Sequence, residues 1–213
     1  MMICNFINLL ISIIRVIMKL ERRETMKVSV GISNRHVHLT EDDFKILFGN
    51  DAIMEIDRPV NQPGQYASKQ RVTIQTAKNK YENVRILGPA RSYTQVEISK
   101  TDAYFLGVNP PVRTSGDLTG AAPVKIIGPK GEIDREAAII ADRHIHIDHE
   151  TRVTLGLENV QEVSVRIVGE KGGILDHVML KESNPAYYEM HLDTDDANAH
   201  LLKNNDEVEI IIK

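Results

Sequence analysis

Two short segments of the chain carry the same histidine pattern. Residues 34–39 read NRHVHL and residues 142–147 read DRHIHI, so each contains Arg-His-x-His with apolar residues at alternate positions. In an extended strand, alternate side chains point to the same face, so each His-x-His places two imidazoles side by side. Neutral imidazole binds zinc and its first-row neighbours. The repeat predicts metal binding; a repeated structural strand with buried histidines is the alternative.

A second pair of matching segments supplies a third candidate ligand to each copy. Residues 95–103 (QVEISKTDA) align with residues 189–197 (EMHLDTDDA), so Glu97 corresponds to His191. Both residues alternate with apolar neighbours, as strand residues with one buried face do. A catalytic zinc site uses three protein ligands and leaves one position open for water or substrate. The predicted ligand sets are His36, His38 and Glu97 in the first copy and His144, His146 and His191 in the second.

The elements that must hold these residues are mainly short strands. The stretch VRILGP at 84–89 recurs as VKIIGP at 124–129 and as VRIVGE at 165–170, and each is a short strand stopped by glycine. The glycine-rich stretches 128–131 and 169–173 are typical of hairpin turns. Many short strands at close spacing favour barrels or sandwiches over parallel α/β sheets.

Helices and loops between these strands are predicted to be short. One helix is expected at 40–48, where Thr40 can cap the first turn with Asp43 three residues on, and another at 194–202. The proline-rich stretch 109–116 is predicted to be a loop that links the two halves or contacts substrate.

Composition narrows the class of protein. The chain has 213 residues, enough for two small lobes made by duplication, and one cysteine, Cys4, outside the repeated region. Structural disulfides and a cysteine nucleophile are therefore excluded, and a reducing, cytoplasmic compartment is expected. Acidic residues number 30 against 26 lysines and arginines, which disfavours a general nucleic-acid surface. Locally placed arginines must then hold any anionic substrate.

Residues 1–20 differ from the rest of the chain. Polar residues recur there at intervals of three and four positions among apolar ones, which predicts an amphipathic helix. Arg15 and Lys19 interrupt the apolar run, which disfavours a membrane span, and the marks of a secretory signal are missing. We interpret the segment as a docking or encapsulation helix. The alternatives are a translation start at Met18 or Met26 and a membrane role.

Four segments together resemble the PduL-type phosphate propanoyltransferases, the phosphotransacylases associated with bacterial microcompartments. They are residues 31–39 (GISNRHVHL), 88–97 (GPARSYTQVE), 113–116 (RTSG) and 141–146 (ADRHIH), within a similarity that extends from Lys27 to Lys213. The resemblance implies a mainly β fold of two similar β-barrel domains, with short capping helices and a dinuclear zinc site between the domains. It also implies that the first strand joins the C-terminal barrel. The expected division is an extension at 1–26, a first barrel at 35–142, and a second barrel of 27–34 plus 143–213.

The resemblance also implies roles for individual residues. By this resemblance, the two predicted ligand sets bind two zinc ions per chain, one ion to each set. Arg91 is assigned as the phosphate-binding, catalytic residue. Coenzyme A contacts are assigned to Ile32, Ser33, Asn34, Arg58, Arg85 and Asn198. Arg58 stands where the family more often has lysine, a change that keeps the charge and alters the hydrogen-bond geometry.

Other polar residues have less specific claims on the site. Gln62 and Gln65 lie in a predicted turn that could border the pocket, and Ser115 could donate a hydrogen bond to substrate. Arg35 and Arg143 precede the two histidine pairs and could orient carboxylates, reach phosphate or form surface salt bridges.

The predicted function is a phosphate acyltransferase that interconverts propanoyl-CoA or acetyl-CoA plus phosphate with acyl phosphate plus CoA. The expected partners are these substrates and, through residues 1–20, shell or core proteins of a microcompartment in the cytoplasm; a homo-oligomer is compatible with the sequence. A binuclear metal-dependent hydrolase or thioesterase is the first alternative. The second is a non-catalytic, zinc-stabilised microcompartment component, which three ligands per site disfavour because structural zinc has four.

Overall fold

The computed structural model describes residues 26–212, which form fourteen strands and four helices. The strands are β1 Met26–Ser33, β2 His36–His38, β3 Ile56–Pro59, β4 Tyr66–Gln75, β5 Lys80–Gly88, β6 Gln95–Glu97, β7 Val112–Arg113, β8 Ala122–Ile127, β9 Glu132–Ala141, β10 His144–Ile147, β11 Glu162–Ile167, β12 Gly173–Glu182, β13 Glu189–Asp193 and β14 Glu207–Ile211. The helices are α1 Glu41–Phe48, α2 Lys100–Leu106, α3 His149–Thr154 and α4 Thr194–Ala199. The helix predicted at residues 1–20 lies outside the described residues.

The strands close into two six-stranded barrels, which confirms the predicted mainly β fold. The first barrel runs β2, β6, β9, β8, β4, β5 and back to β2, with β3 added on β4 and β7 on β9. The second runs β1, β13, β10, β12, β11, β14 and back to β1. Strand β1 pairs in parallel with β13 and antiparallel with β14, so it completes a barrel whose other strands lie far along the chain. We propose these barrels as the two domains, 35–142 and 27–34 plus 143–213.

The two histidine strands occupy the same place in the two barrels. Strand β2 lies between β5, in parallel, and β6, antiparallel; β10 lies between β12, in parallel, and β13, antiparallel. In this register His36 is opposite Glu97, and His144 is opposite His191. The match between Glu97 and His191 in the sequence therefore reflects one duplicated strand arrangement.

Apolar residues next to the histidines anchor both strands. Val37 and Leu39 contribute to the core of the first barrel, Ile145 and Ile147 contribute to that of the second, and all four are fully buried. Because burial of one such side chain stabilises the fold by about 1.5–3 kcal/mol, these residues fix which face of each strand turns inward. The alternate positions are then left to hold the histidines.

The predicted hairpins are confirmed. The backbone N–H of Gly128 donates to the carbonyl of Gly131 (2.9 Å) between β8 and β9, and that of Gly172 donates to the carbonyl of Gly169 (3.1 Å) between β11 and β12. The predicted loop at 109–116 contains the two-residue strand β7, which pairs with β9.

The helices agree in part with the prediction. Helix α1 forms as expected, but α4 ends at Ala199 and not at residue 202, because Leu201 has a φ of 57° and turns the chain away. Helices α2 and α3 were not predicted. Each begins at a capping side chain, Ser99 for α2 and Asp148 for α3. None of the four described helices has the length and apolar character needed to cross a membrane.

The cap of α1 gives a test of local stability. Thr40 Oγ1 accepts a hydrogen bond from the backbone N–H of Asp43 (3.1 Å) and satisfies a donor that the helix leaves unpaired. We expect Thr40→Ala to lower the free energy of unfolding by about 1 kcal/mol, measured by urea denaturation. The control is Thr154→Ala at the exposed end of α3, for which we expect no such loss. An unchanged Thr40→Ala midpoint would contradict the role of the cap.

Candidate active site

The first predicted ligand set converges at one point of the first barrel. His36 Nε2 lies 3.4 Å from Glu97 Oε2, and His38 Nε2 lies 3.9 Å from Glu97 Oε1. Both histidines are buried. The Nδ1 atoms of His36 and His38 face the backbone carbonyls of Asn34 (2.9 Å) and Leu87 (3.2 Å). With Nδ1–H donated to a carbonyl, each ring presents the lone pair of Nε2 to Glu97 and to a metal ion.

The second set converges in the same way in the second barrel. His144 Nε2 and His146 Nε2 lie 3.2 Å apart, and the His191 ring centroid is 4.6 Å from that of His146. His144 Nδ1 faces the carbonyl of Asp142 at 2.9 Å, which again leaves Nε2 as the free lone pair. In each set, one possible ligand atom per residue lies within 4.8 Å of the others.

Three of the five imidazoles in the two sets are held in the neutral form that binds metals. Burial, with repulsion from His36 and Arg91, keeps the pKa of His38 well below its ordinary value. Burial, with repulsion from His191, likewise lowers the pKa of His144 and of His146. Near pH 7 these rings are neutral and need no deprotonation before a metal binds.

Glu97 is an anion in the same surroundings. Burial opposes its charge, but attraction to His36 and His38 and a hydrogen bond from Ser115 more than offset that effect, and the pKa of Glu97 is lowered to about 2. Its ionised carboxylate completes a set with two imidazoles and one anion.

The spacing and chemistry of both sets fit zinc. Nitrogen ligands about 2.0 Å from a tetrahedral zinc lie about 3.3 Å from one another, close to the 3.2 Å between the Nε2 atoms of His144 and His146. A contact between two neutral imidazole nitrogens at that distance needs a proton or a cation between them. The residues present could therefore hold two zinc ions, one in each set.

Arg91 is held beside the first set by several contacts. Its Nη1 donates to the hydroxyls of Tyr93 (2.9 Å) and Ser115 (3.3 Å), and its Nη2 donates to Gln65 Oε1 (3.4 Å). Ser115 in turn donates to Glu97 Oε1 (2.9 Å). The charge of Arg91 contributes to the lowered pKa of a histidine in each set, so its guanidinium acts on both.

One cavity of about 900 Å³ brings most of the predicted site residues together. It is lined by both ligand sets, by Arg91, and by five of the six residues assigned to coenzyme A: Ile32, Ser33, Asn34, Arg58 and Arg85. The sixth, Asn198, is exposed on α4 and is not among the lining residues. Gln62, Gln65 and Ser115 also line the cavity.

Arg35 and Arg143 have matching structural contacts. Arg35 Nη2 lies 2.7 Å from Asp102 Oδ1, and Arg143 donates to both carboxylate oxygens of Asp196 (2.7 and 2.8 Å). In each barrel the arginine before the histidine pair is thus tied to the helix that follows the third ligand. Both contacts are salt bridges in which the arginine, about one-third exposed, holds a carboxylate of the neighbouring helix.

Sequence reasoning did not single out several polar residues of the cavity. Lys181 on β12 is the register partner of His146, and Asn61 and Glu189 come from different barrels to the same wall. The duplication contained a signal for Glu189, because it aligns with Gln95, two residues before Glu97. No local pattern marks Lys181 or Asn61.

The comparisons with known proteins agree on one family. A family model described as phosphate propanoyltransferase matches residues 29–203. The chain is 44% identical to the phosphate propanoyltransferase of Thermotoga maritima over 200 aligned residues. The alignment covers 93% of this chain and 95% of that protein. It is 42% identical over 191 residues to that of Rhodopseudomonas palustris (89% and 84% covered) and 41% identical over 182 residues to that of Salmonella typhimurium (84% and 86% covered). This chain belongs to the phosphate propanoyltransferase family and is an acyltransferase enzyme.

Proposed function

We propose that this enzyme transfers a propanoyl or acetyl group between coenzyme A and inorganic phosphate, at a site that holds two zinc ions. The observation that carries the proposal is the shared cavity: two ligand sets, one from each barrel, line the same space as Arg91. A hydrolase needs no dedicated group for phosphate, whereas an acyltransferase that uses phosphate must bind that anion next to the thioester.

In the proposed reaction a phosphate oxygen attacks the thioester carbonyl carbon, the carbon–sulfur bond breaks, and coenzyme A leaves as its thiolate. Both substrates carry negative charge and repel each other, so the site must hold them with cations. Arg91 offers a planar, permanently charged group suited to two phosphate oxygens. Because Tyr93, Ser115 and Gln65 restrain that guanidinium, phosphate meets an oriented partner.

Coenzyme A brings further phosphates, and a second group of arginines suits them. Arg58 and Arg85 line the cavity. Asp57 Oδ2 lies 3.4 Å from Arg85 Nη1 and 3.9 Å from Arg71 Nη2. Burial and repulsion from Arg71 and Arg58 lower the pKa of Arg85. Arg71 and Arg85 share the Asp57 carboxylate, and Arg58 is near enough for its charge to act on Arg85. Three guanidiniums with one carboxylate carry a net positive charge, which supports the neighbouring part of the cavity, at Arg58 and Arg85, as the place for the coenzyme's phosphates.

Zinc, when bound, supplies a Lewis acid for the substrate oxygens and a good partner for the departing thiolate. The residues that would hold it are His36, His38 and Glu97 in one set and His144, His146 and His191 in the other. The barrels themselves contribute the fixed separation of the two sets, the partial exclusion of water and the orientation of Arg91.

The test is the release of coenzyme A from propanoyl-CoA and acetyl-CoA by zinc-loaded enzyme, with and without phosphate, while acyl phosphate is assayed in parallel. We expect release that depends on phosphate and is matched by acyl phosphate. Release without phosphate would instead indicate a thioesterase on the same scaffold. No release from either substrate would favour a non-catalytic component.

We propose in addition that residues 1–20 direct the enzyme into a bacterial microcompartment. The support is the recurrence of polar residues at intervals of three and four positions among apolar ones in that segment. A fluorescent protein that carries residues 1–20 should co-purify with microcompartments, and the same fusion with Ile11→Asp and Ile14→Asp should not.

A further inference from the structure

One residue in each barrel occupies a matching place beside the ligand set. Gln95 is the register partner of His38, and Glu189 is the register partner of His146. Each lies two positions before the third ligand of its set, on the same face of the strand. Gln95 donates from Nε2 to Glu97 Oε1 (2.6 Å), so in the first barrel an amide holds a carboxylate.

The second barrel reverses the chemistry of this pair. Glu189 Oε2 lies 2.8 Å from His191 Nε2, so here a carboxylate holds an imidazole. Glu189 is 3% exposed, and its other oxygen, Oε1, accepts a hydrogen bond from Asn61 Nδ2 (2.7 Å) in the first barrel. A buried carboxylate with both oxygens engaged is fixed in position.

The backbone next to Glu189 is shaped to admit the carboxylate. Gly31 on β1 is paired with His191, and a Cβ atom at Gly31 would lie 2.7 Å from Glu189 Cδ and 2.8 Å from Oε2. Any side chain at residue 31 would therefore push the carboxylate out of its place. The glycine in strand β1 is explained by this close approach.

We propose that Glu189 is a positioning residue that holds His191 as the Nε2–H tautomer and so turns Nδ1 of His191 toward the second metal. The inference rests on the proposed zinc sites. A histidine that donates one ring N–H to a carboxylate carries its lone pair on the other nitrogen, and such an outer partner fixes the orientation of a metal ligand. His36, His38 and His144 have the opposite arrangement, because their Nδ1 atoms face backbone carbonyls. His191 would be the ligand that binds through Nδ1.

The first measurement uses the zinc-free protein and needs no activity. Long-range ¹H–¹⁵N spectra report the tautomer of each histidine, and a His191→Asn variant identifies the His191 signals by their loss. We expect His191 as the Nε2–H form in the wild type and a mixture of tautomers in Glu189→Ala. An Nδ1–H tautomer in the wild type would overturn the proposal.

The second measurement is zinc affinity, by competition with a chelator. We expect Glu189→Ala to lower the affinity for one of the two zinc ions by about 10- to 100-fold and to leave the affinity for the other unchanged. Glu162→Gln is the matched control, because Glu162 also pairs with a histidine of the second barrel (His177 Nδ1, 3.1 Å) but at an exposed place outside the cavity. That variant should bind both ions as the wild type does.

Because Glu189→Ala could disturb the folding of the second barrel, a third variant perturbs Glu189 from the first barrel. Asn61→Ala removes the hydrogen bond to Glu189 Oε1 from the first barrel and leaves every residue of the second barrel in place. We expect a smaller loss of affinity, a few-fold, for the same ion. Unchanged affinity in both Glu189→Ala and Asn61→Ala, with two ions bound, would overturn this inference alone. A wild-type enzyme that binds no zinc would overturn the proposed metal centre as well.

Discussion

Replacement of Arg91 by alanine should lower turnover by about 10²- to 10³-fold, the usual cost of removing one group that stabilises charge in a transition state. The zinc content should stay at the wild-type value, because among the described residues the Arg91 guanidinium hydrogen-bonds to Tyr93, Ser115 and Gln65, which belong to neither ligand set. The measurement is the phosphate-dependent release of coenzyme A, with metal content determined on the same sample.

A control is needed for the loss of one positive charge. Arg166→Ala serves, because Arg166 is an arginine on the exposed face of β11, outside the cavity. We expect it to retain wild-type turnover. A lysine at residue 91 keeps the charge but not the fork of donors, so Arg91→Lys should recover only part of the rate. Near-normal turnover in Arg91→Ala would remove Arg91 from the phosphate site.

The duplication explains why so much of the site could be predicted from the sequence. A single His-x-His predicts only a strand with two imidazoles on one face. With a second copy, the alignment of Glu97 with His191 becomes possible, and the structure places both residues opposite the first histidine of their pair. Strand register is set by the alternation of apolar and polar residues, which the sequence carries directly.

Contacts between the two barrels could not be predicted in the same way. Asn61 donates to Glu189, and the Asp195 carboxylate accepts from the backbone N–H of Thr101 at the start of α2. Each of these pairs joins residues far apart in the chain, and their geometry depends on how two closed barrels pack together. Patterns within a strand or helix carry no information about such packing.

The shortened helix α4 has a different cause. The sequence from 194 to 202 has the periodicity of a helix, but the chain must turn back to form β14 against β1. Leu201 takes a left-handed conformation at that turn, and the backbone N–H of Leu202 donates to the carbonyl of Ala197 (2.9 Å). The closure of the barrel overrode a local preference.

If the chain holds the two zinc ions proposed above, replacement of His144 by alanine should lower the zinc content to one ion and reduce turnover by at least about 10²-fold. His144 contributes Nε2 at 3.2 Å from that of His146, and its removal leaves two of three ligands in the second set. Metal analysis after dialysis and the phosphate-dependent assay together give both readouts. His177→Ala, which removes an exposed histidine of the same barrel, should change neither.

The comparison with His36→Ala makes this test specific to the duplicated arrangement. If each barrel holds its own ion, His36→Ala and His144→Ala should each lose one zinc and keep the other, since the two sets come from separate barrels with separate cores. Both variants should lose turnover, because the proposed reaction needs both sides of the cavity. Loss of both ions in either variant would instead mean that the two sets form one interdependent centre. Two ions retained in His144→Ala would exclude His144 as a ligand and leave its buried, neutral imidazole with a structural role.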